Sequence, residues 1–171
     1  MQRPDPSEYA PYYQGYIDQT TTEEDLLTVM DGQANELRSV VGSLPEDRGS
    51  FAYAEGKWTI KELLSHIIDG ERIFGYRAHR ISRGDATPIE GFEQDDYIPT
   101  SNANARNFAD LLDEFDLQRR ANMLMLRNIS DDAGSLMGTA SGNPVSARAI
   151  AHIMAGHVRH HVKILQTRYL S

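Results

Sequence analysis

The sequence predicts an all-α fold, a four-helix bundle in one domain over residues 1–171. Four segments place apolar residues at the spacing of a helix. Turn-rich segments separate them, as two short links and one long loop between helices 2 and 3. With 171 residues, 40% of them hydrophobic and 25% charged, the chain is long enough to bury a core without disulfides or a partner.

The first helix follows an N-terminal segment of different character. Residues 1–20 are rich in proline and tyrosine and show no regular spacing, so we expect an irregular segment that runs over the surface. A helix is then predicted to start at the threonines of residues 20–22 and to stop near residues 42–45. A threonine would be its N-cap, and Glu23 and Glu24 would face its positive end.

The second helix is predicted to begin at a capping box formed by Thr59 and Glu62 and to end near Gly84. Residues 85–103 contain two prolines and several acidic residues, which indicates a long connection. It is interpreted either as a lid over the end of the bundle or as a solvated loop that packs only Phe92 and Tyr97.

The remaining two helices are predicted from the same apolar spacing. The third covers residues 103–129, and the fourth starts at Ser146 and continues to the C-terminus. The link between them, residues 130–146, is turn-rich and indicates a short hairpin-like excursion.

Composition excludes several classes of function. A net charge of −8 disfavours nucleic acid or an anionic membrane as the main partner. No segment approaches 18 consecutive apolar residues and no export signal is present, so we expect a soluble, cytoplasmic protein. Because the chain has no cysteine, any metal must be held by His, Asp or Glu.

The six histidines divide by helix face. In the stretch "AGHVRHH", His157 and His161 fall inside the apolar stripe one turn apart, whereas His160 lies at its border. His152 falls on the solvent side. On the second helix, His66 lies on a shoulder of the buried face, from which it would point at a neighbouring helix.

Two interpretations of these inward histidines remain open from spacing alone. Each would be a hydrogen-bonded core residue, which is the commoner role of a single buried histidine. Alternatively, His66, His157 and His161 would bind one ion, and three neutral imidazoles from two helices would leave a fourth coordination position open, as in catalytic zinc sites.

Two charged residues of the second helix are further candidates. Glu71 falls in the apolar sector, where a carboxylate needs a partner. It is interpreted as one half of a buried ion pair with an arginine such as Arg148 or Arg77. Alternatively, it would be a carboxylate that supports the metal ligands, or a general base near the metal. Arg77 lies on the line of His66 and would contact an anionic group of a substrate or cofactor, or form a surface salt bridge.

Three passages carry a resemblance to a known family: "KWTIKELLSHIIDGERIFGYRAHRISRGD", "GFEQDDYIPTSNANAR" and "SARAIAHIMAGHVRHHVKIL". They resemble the DinB/YfiT-like family of bacterial four-helix proteins over nearly the whole chain from Thr22 onward. The resemblance implies a divalent metal, commonly zinc or nickel, held by His66 of the second helix and by His157 and His161 of the fourth. It makes His160 a neighbour of the site.

The resemblance also implies a range of activities. Characterised members include transferases that use low-molecular-weight thiols such as bacillithiol or mycothiol, and a mycothiol-dependent isomerase. We therefore expect a metal-dependent enzyme, a thiol S-transferase or a metal-assisted hydrolase, that acts on a small molecule. The alternative is a non-catalytic metal- or ligand-binding bundle, such as a stress-related dimer. A homodimer is predicted on the same basis.

Overall fold

A computed structural model of the protein describes residues 1–22 and 24–171 and confirms the predicted four-helix bundle. Glu23, predicted at the start of the first helix, lies outside the described residues. None of the described helices is both long and apolar enough to cross a membrane. The four long helices are α1 (Leu26–Val41), α2 (Ile60–Ser82), α3 (Phe108–Leu126) and α4 (Ala147–Ile164).

Two of the three connections between the long helices cross a diagonal of the bundle. Both α1 and α2 pack mainly against α3 and α4, so α1 lies diagonally opposite α2 and α3 opposite α4. The prediction of two short links is therefore wrong, because residues 42–59 and residues 127–146 must each reach the far corner of the bundle. The third link, residues 83–107, contains the predicted long loop.

Side-chain caps fix where the helices begin. The capping box of α2 is confirmed, since Thr59 Oγ1 accepts a hydrogen bond from the Glu62 amide at 3.2 Å and Glu62 Oε2 accepts one from the Thr59 amide at 2.8 Å. The predicted threonine cap of α1 is wrong: Asp25 caps that helix, because its carboxylate accepts from the Thr28 amide at 3.0 Å.

A small hairpin precedes α4, as the turn-rich link predicts. Strands β1 (Met137–Ala140) and β2 (Asn143–Ser146) pair antiparallel. The two residues between them, Ser141 and Gly142, both have positive φ, at 52° and 74°, as a tight hairpin turn requires. The hairpin ends at Ser146, whose side chain caps α4.

Short elements occupy the other connections, so these segments are less irregular than the sequence suggests. One-turn α-helices are Gln14–Ile17, Gln94–Tyr97 and Asp131–Gly134; 3-10 turns are Pro6–Glu8, Pro11–Tyr13, Glu46–Ser50, Ile98–Thr100 and Ala103–Ala105; and Leu165–Tyr169 continues α4 as a π-helix.

The N-terminal segment differs most from expectation. Instead of running over the surface, it packs its one-turn helix Gln14–Ile17 against α4 and buries Ile17 completely. Gly156 permits this approach, because a Cβ at that position would lie only 2.0 Å from the carbonyl oxygen of Tyr16. The segment is therefore an integral part of the fold.

This packing also explains why the prediction for His152 is wrong. Its side chain was expected to face water but is 3% exposed, and its Nδ1 lies 3.0 Å from Thr20 Oγ1. The pKa of His152 is lowered to about 4, mainly by burial; the hydrogen bond to the Gln2 backbone opposes this effect, and the positive charges of Arg3 and Arg148 add to it.

We predict that His152 makes the fold sensitive to acid. Between pH 6.5 and about 4 the unfolded chain binds a proton that the folded imidazole does not, so the free energy of unfolding falls as the pH falls. Urea titrations of the metal-free protein should show that His152→Asn removes up to about 1.4 kcal/mol per pH unit of this slope. The same substitution at the exposed His79 should leave the slope unchanged, and an unchanged slope in both variants would contradict the prediction.

The core has two apolar halves with a polar layer between them. One half includes Met30, Phe74 and Met123, and the other includes Leu37, Ile67 and Phe115. Along every helix the change from one half to the other occurs at a buried polar side chain: Gln33 of α1, Glu71 of α2, Arg119 of α3 and His157 of α4.

Glu71 and Arg119 form the centre of this layer. Arg119 donates from Nε to Glu71 Oε1 at 2.9 Å and from Nη2 to Oε2 at 2.8 Å, and Asn122 Nδ2 donates to Oε1 at 2.8 Å. Glu71 is thus in a buried ion pair, as one interpretation holds, but the predicted partners were wrong. Arg148 pairs with Glu8 instead, and Arg77 forms no salt bridge in the described part of the chain.

Candidate metal centre

Three buried histidines from two helices meet beside the polar layer. The Nε2 atoms of His66, His157 and His161 are 2.9 Å, 3.1 Å and 3.2 Å apart, so that each lies near both of the others. His66 is supplied by α2, and the other two lie one turn apart on α4. The structure therefore brings together all three residues that the sequence singles out as metal ligands.

The donor set fits a metal ion better than a hydrogen-bonded cluster. A neutral imidazole has one N–H, and three Nε2 atoms at the corners of a small triangle cannot form linear hydrogen bonds to one another. Two nitrogens bound to zinc at 2.0–2.1 Å in tetrahedral geometry are about 3.3 Å apart, close to the spacing seen here. The three imidazoles would thus hold one divalent cation with small adjustments.

Burial keeps these imidazoles neutral and ready to bind. Desolvation lowers the pKa of His66 to about 4 and that of His161 to about 2. The pKa of His157 is also far below its usual range, first through burial and then through the neighbouring histidines. At neutral pH all three rings are therefore unprotonated, as metal ligation requires.

A cavity of about 380 Å³ opens onto the centre. The α2 residues His66, Gly70, Phe74 and Arg77 lie along it, and His157 reaches it from α4. Its other walls come from the N-terminal segment, the hairpin turn and the loop that follows α2: Ala10, Tyr12, Tyr13, Tyr16, Phe92, Glu93, Gln94, Asp95, Ser141 and Asn143. The volume is in the range of small-molecule sites.

Gly70 leaves room for the ring of His157, one of the three clustered histidines. A Cβ at this position would lie 2.8 Å from Cε1 and 3.1 Å from Nδ1 of His157. Both atoms belong to an imidazole that is 3% exposed, so the ring has little room to move away from an added methyl group. The glycine therefore sets the position of the His157 ring.

We predict that Gly70→Ala weakens metal binding by at least about tenfold, because the added methyl group would displace the His157 ring. Loss of a group that orients a metal-ligating side chain has an effect of this size. Competition with a chromophoric chelator would measure the affinity for zinc. Gly32→Ala is the matched control, since nothing lies within 4 Å of the added methyl group and the exposed helix should gain up to about 1 kcal/mol. Equal zinc affinities in the two variants would refute the role of Gly70.

Other predicted residues have mixed outcomes. His160 is half-buried at the edge of the site, its ring 5.4 Å from that of Tyr16, and it is not part of the three-nitrogen cluster. Within the described chain Glu71 accepts no hydrogen bond from the three histidines, and its carboxylate accepts from Arg119 and Asn122 instead. Arg77 is 2% exposed, so its alternative as a surface salt bridge is wrong.

The tyrosines of the N-terminal segment are the site residues that sequence reasoning missed. The Tyr16 ring lies 5.4 Å from that of His157, and Tyr13 lies 6.4 Å from Phe74. Burial raises the pKa of Tyr16, so its phenol stays protonated. The signal was the stretch "YAPYYQGY", whose four tyrosines are unusual for a surface segment.

Fold and site together define a four-helix bundle with a buried three-histidine centre that faces a cavity. The family model of the DinB superfamily matches residues 30–165. The chain therefore belongs to the DinB superfamily, as the resemblance of its sequence indicates.

Two solved structures share the fold. YfiT from Bacillus subtilis, described as a probable metal-dependent hydrolase with an unusual four-helix bundle topology, superposes with a TM-score of 0.78 at 14% identity, over 93% of this chain and 90% of YfiT. A mycothiol-dependent maleylpyruvate isomerase superposes with a TM-score of 0.69 at 20% identity, over 87% of this chain and 62% of the isomerase. Among proteins with curated descriptions, none matches the sequence.

Proposed function

We propose that this protein is a divalent-metal-dependent enzyme in which His66, His157 and His161 hold one zinc or nickel ion. The observation that carries the proposal is the convergence of three buried Nε2 atoms within 3.2 Å of one another at the edge of a cavity. The descriptions of YfiT as a probable metal-dependent hydrolase and of the isomerase as mycothiol-dependent support it.

The proposed reaction is the transfer of a low-molecular-weight thiol to a small electrophile. A bound divalent cation would lower the pKa of a thiol or water that coordinates it, which supplies a nucleophile at neutral pH. The chain has no cysteine, so the thiol would come from solution. Hydrolysis is the second candidate, because the same open position accepts water.

The protein itself would bind and shield the reactants. Aromatic side chains on three walls, those of Tyr16, Phe74 and Phe92, limit the water that reaches the centre and offer apolar surface to a substrate. Glu71 is an unsuitable general base, because both carboxylate oxygens accept hydrogen bonds from Arg119. Its role is therefore proposed to be structural.

The test combines metal analysis with two assays on the purified protein. We expect one divalent ion per chain after zinc loading, and at least tenfold acceleration of the conjugation of 2-mercaptoethanol to an activated aryl halide relative to the metal-free protein. Acceleration of nitrophenyl ester hydrolysis alone would favour the hydrolase. If the loaded protein accelerates neither reaction and zinc only raises its thermal stability, the non-catalytic alternative is correct.

A further inference from the structure

Arg77 is a buried cation without a counter-ion. It is 2% exposed, yet no carboxylate oxygen of the described residues lies within 4.0 Å of its guanidinium. Its Nη2 donates to the carbonyl oxygen of Glu90 at 3.1 Å and to Ser141 Oγ at 2.9 Å, both neutral acceptors. Its Nε is buried and has no hydrogen-bond partner in the described chain.

Arg119 is equally buried, but the fold provides it with a negatively charged partner. Both oxygens of Glu71 accept from its guanidinium, so the charge of Arg119 is neutralised. A buried charge without such a partner is costly, and a fold retains one where a ligand supplies the opposite charge. The contrast indicates that the anion for Arg77 comes from outside the chain.

The guanidinium belongs to the cavity of the metal centre. Its Cζ lies 6.0 Å from the Phe74 ring and 5.8 Å from the Phe92 ring, so two aromatic side chains flank it. The acidic residues of the same cavity, Glu93 and Asp95, are exposed and form no ion pair with it. The space beside Arg77 is thus open to a small anion.

The spacing along α2 defines the shape of such a ligand. His66, Gly70, Phe74 and Arg77 follow one face of the helix for three turns, and all four line the cavity. The Cα atoms of His66 and Arg77 are therefore about 16 Å apart along the helix, and both residues line the same cavity. The His157 ring lies over Gly70, and Phe74, whose ring is 5.7 Å from that of His157, offers an apolar surface between that ring and Arg77.

We propose that Arg77 binds a carboxylate of the substrate or thiol, so that the protein selects elongated small acids whose reactive end lies at the three-histidine centre. The Nε–H of Arg77, which has no partner in the described chain, would donate to a carboxylate oxygen, and charged hydrogen bonds of this kind are about twice as strong as neutral ones. The proposal rests on the proposed function for the reactive end only, since the anion site is defined by Arg77 itself.

The test uses thiols of graded length as probes. Cobalt-loaded protein would be titrated with ω-mercapto acids of three to eight carbons and with the corresponding uncharged amides, and the thiolate-to-cobalt absorption would give the affinities. We expect the acid to bind at least about tenfold more tightly than its amide at one optimal length. Equal affinities of acid and amide at every length would overturn the proposal.

Two variants assign the preference to Arg77. Arg77→Gln should reduce the preference for the acid to less than about twofold while its affinity for the amide stays similar. Arg83→Gln makes the same change of charge at an exposed position just past the end of α2, and this variant should keep the preference for the acid. If Arg77→Gln keeps the full preference, the anion is bound elsewhere and the proposal is wrong.

A second measurement separates this inference from the metal chemistry and does not depend on the folding of a variant. Succinate added to the wild-type protein should shift the Nε–H NMR resonance of Arg77 in a saturable manner, with or without metal. Absence of thiol binding together with this shift would refute the proposed thiol transfer but support the anion site. No shift with succinate, or a shift with inorganic phosphate alone, would overturn the carboxylate assignment.

Discussion

The His157→Ala variant should lose stoichiometric zinc. His157 Nε2 is 2.9 Å from that of His66 and 3.1 Å from that of His161, so its removal leaves two of the three donors. Removing a group that hydrogen-bonds to a metal ligand lowers metal affinity by up to about 100-fold, and we expect a larger loss of affinity when the ligand itself is removed. Elemental analysis after zinc loading and gel filtration measures the effect, with chelator competition to give the affinity.

His160→Ala is the matched control, because His160 is on the same helix and three residues away but its ring is outside the nitrogen cluster. Its zinc content should remain at one ion per chain, with affinity within about threefold of wild type. Retention of full zinc affinity by His157→Ala, or an equal loss in both variants, would mean that the ion is not bound by the three predicted ligands.

Two of the three clustered histidines could be predicted from the sequence because their placement depends on local geometry. One turn of a helix places His157 and His161 on the same side, and the apolar residues around them show that this side faces inward. His66 is different, since helix periodicity places it only on a shoulder of α2. The resemblance to the family assigned it as the third ligand, and the structure places its Nε2 beside the other two.

What the sequence could not provide depends on contacts between distant segments. His152 is on the solvent side of α4 when that helix is considered alone, and only the N-terminal segment, through Thr20, covers it. Likewise, the sequence alone offers Glu71 several arginines as possible partners. The diagonal arrangement of the helices, which no local pattern specifies, selects Arg119 as its partner.

The cavity could not be predicted either, because it too is formed by segments that are distant in the chain. Its walls include Tyr13 from the N-terminal segment, Phe92 from the loop after α2 and Ser141 from the hairpin turn, which are far apart in the chain. Loop residues 92–95 line the cavity, which favours the lid interpretation over a purely solvated connection. The predicted homodimer stays a prediction.

The buried polar layer should contribute strongly to the stability of the fold. Glu71→Gln should reduce the free energy of unfolding by about 3–5 kcal/mol, because it leaves the buried charge of Arg119 without compensation. The acceptors that remain, Gln33 Oε1 and the Met30 carbonyl oxygen, are neutral. Urea denaturation of the metal-free protein measures the loss, and chelator competition gives the zinc affinity of the folded variant, which should change by less than about threefold.

Two further variants show whether burial of the charge is the cause. Asp31→Asn removes an ion pair with Arg127 that is half-exposed on both sides, and it should cost less than about 1 kcal/mol. Glu71→Leu combined with Arg119→Met removes both buried charges and should recover most of the stability that Glu71→Gln loses. A small effect of Glu71→Gln on stability, accompanied by a loss of zinc or activity greater than tenfold, would instead assign Glu71 to the metal centre.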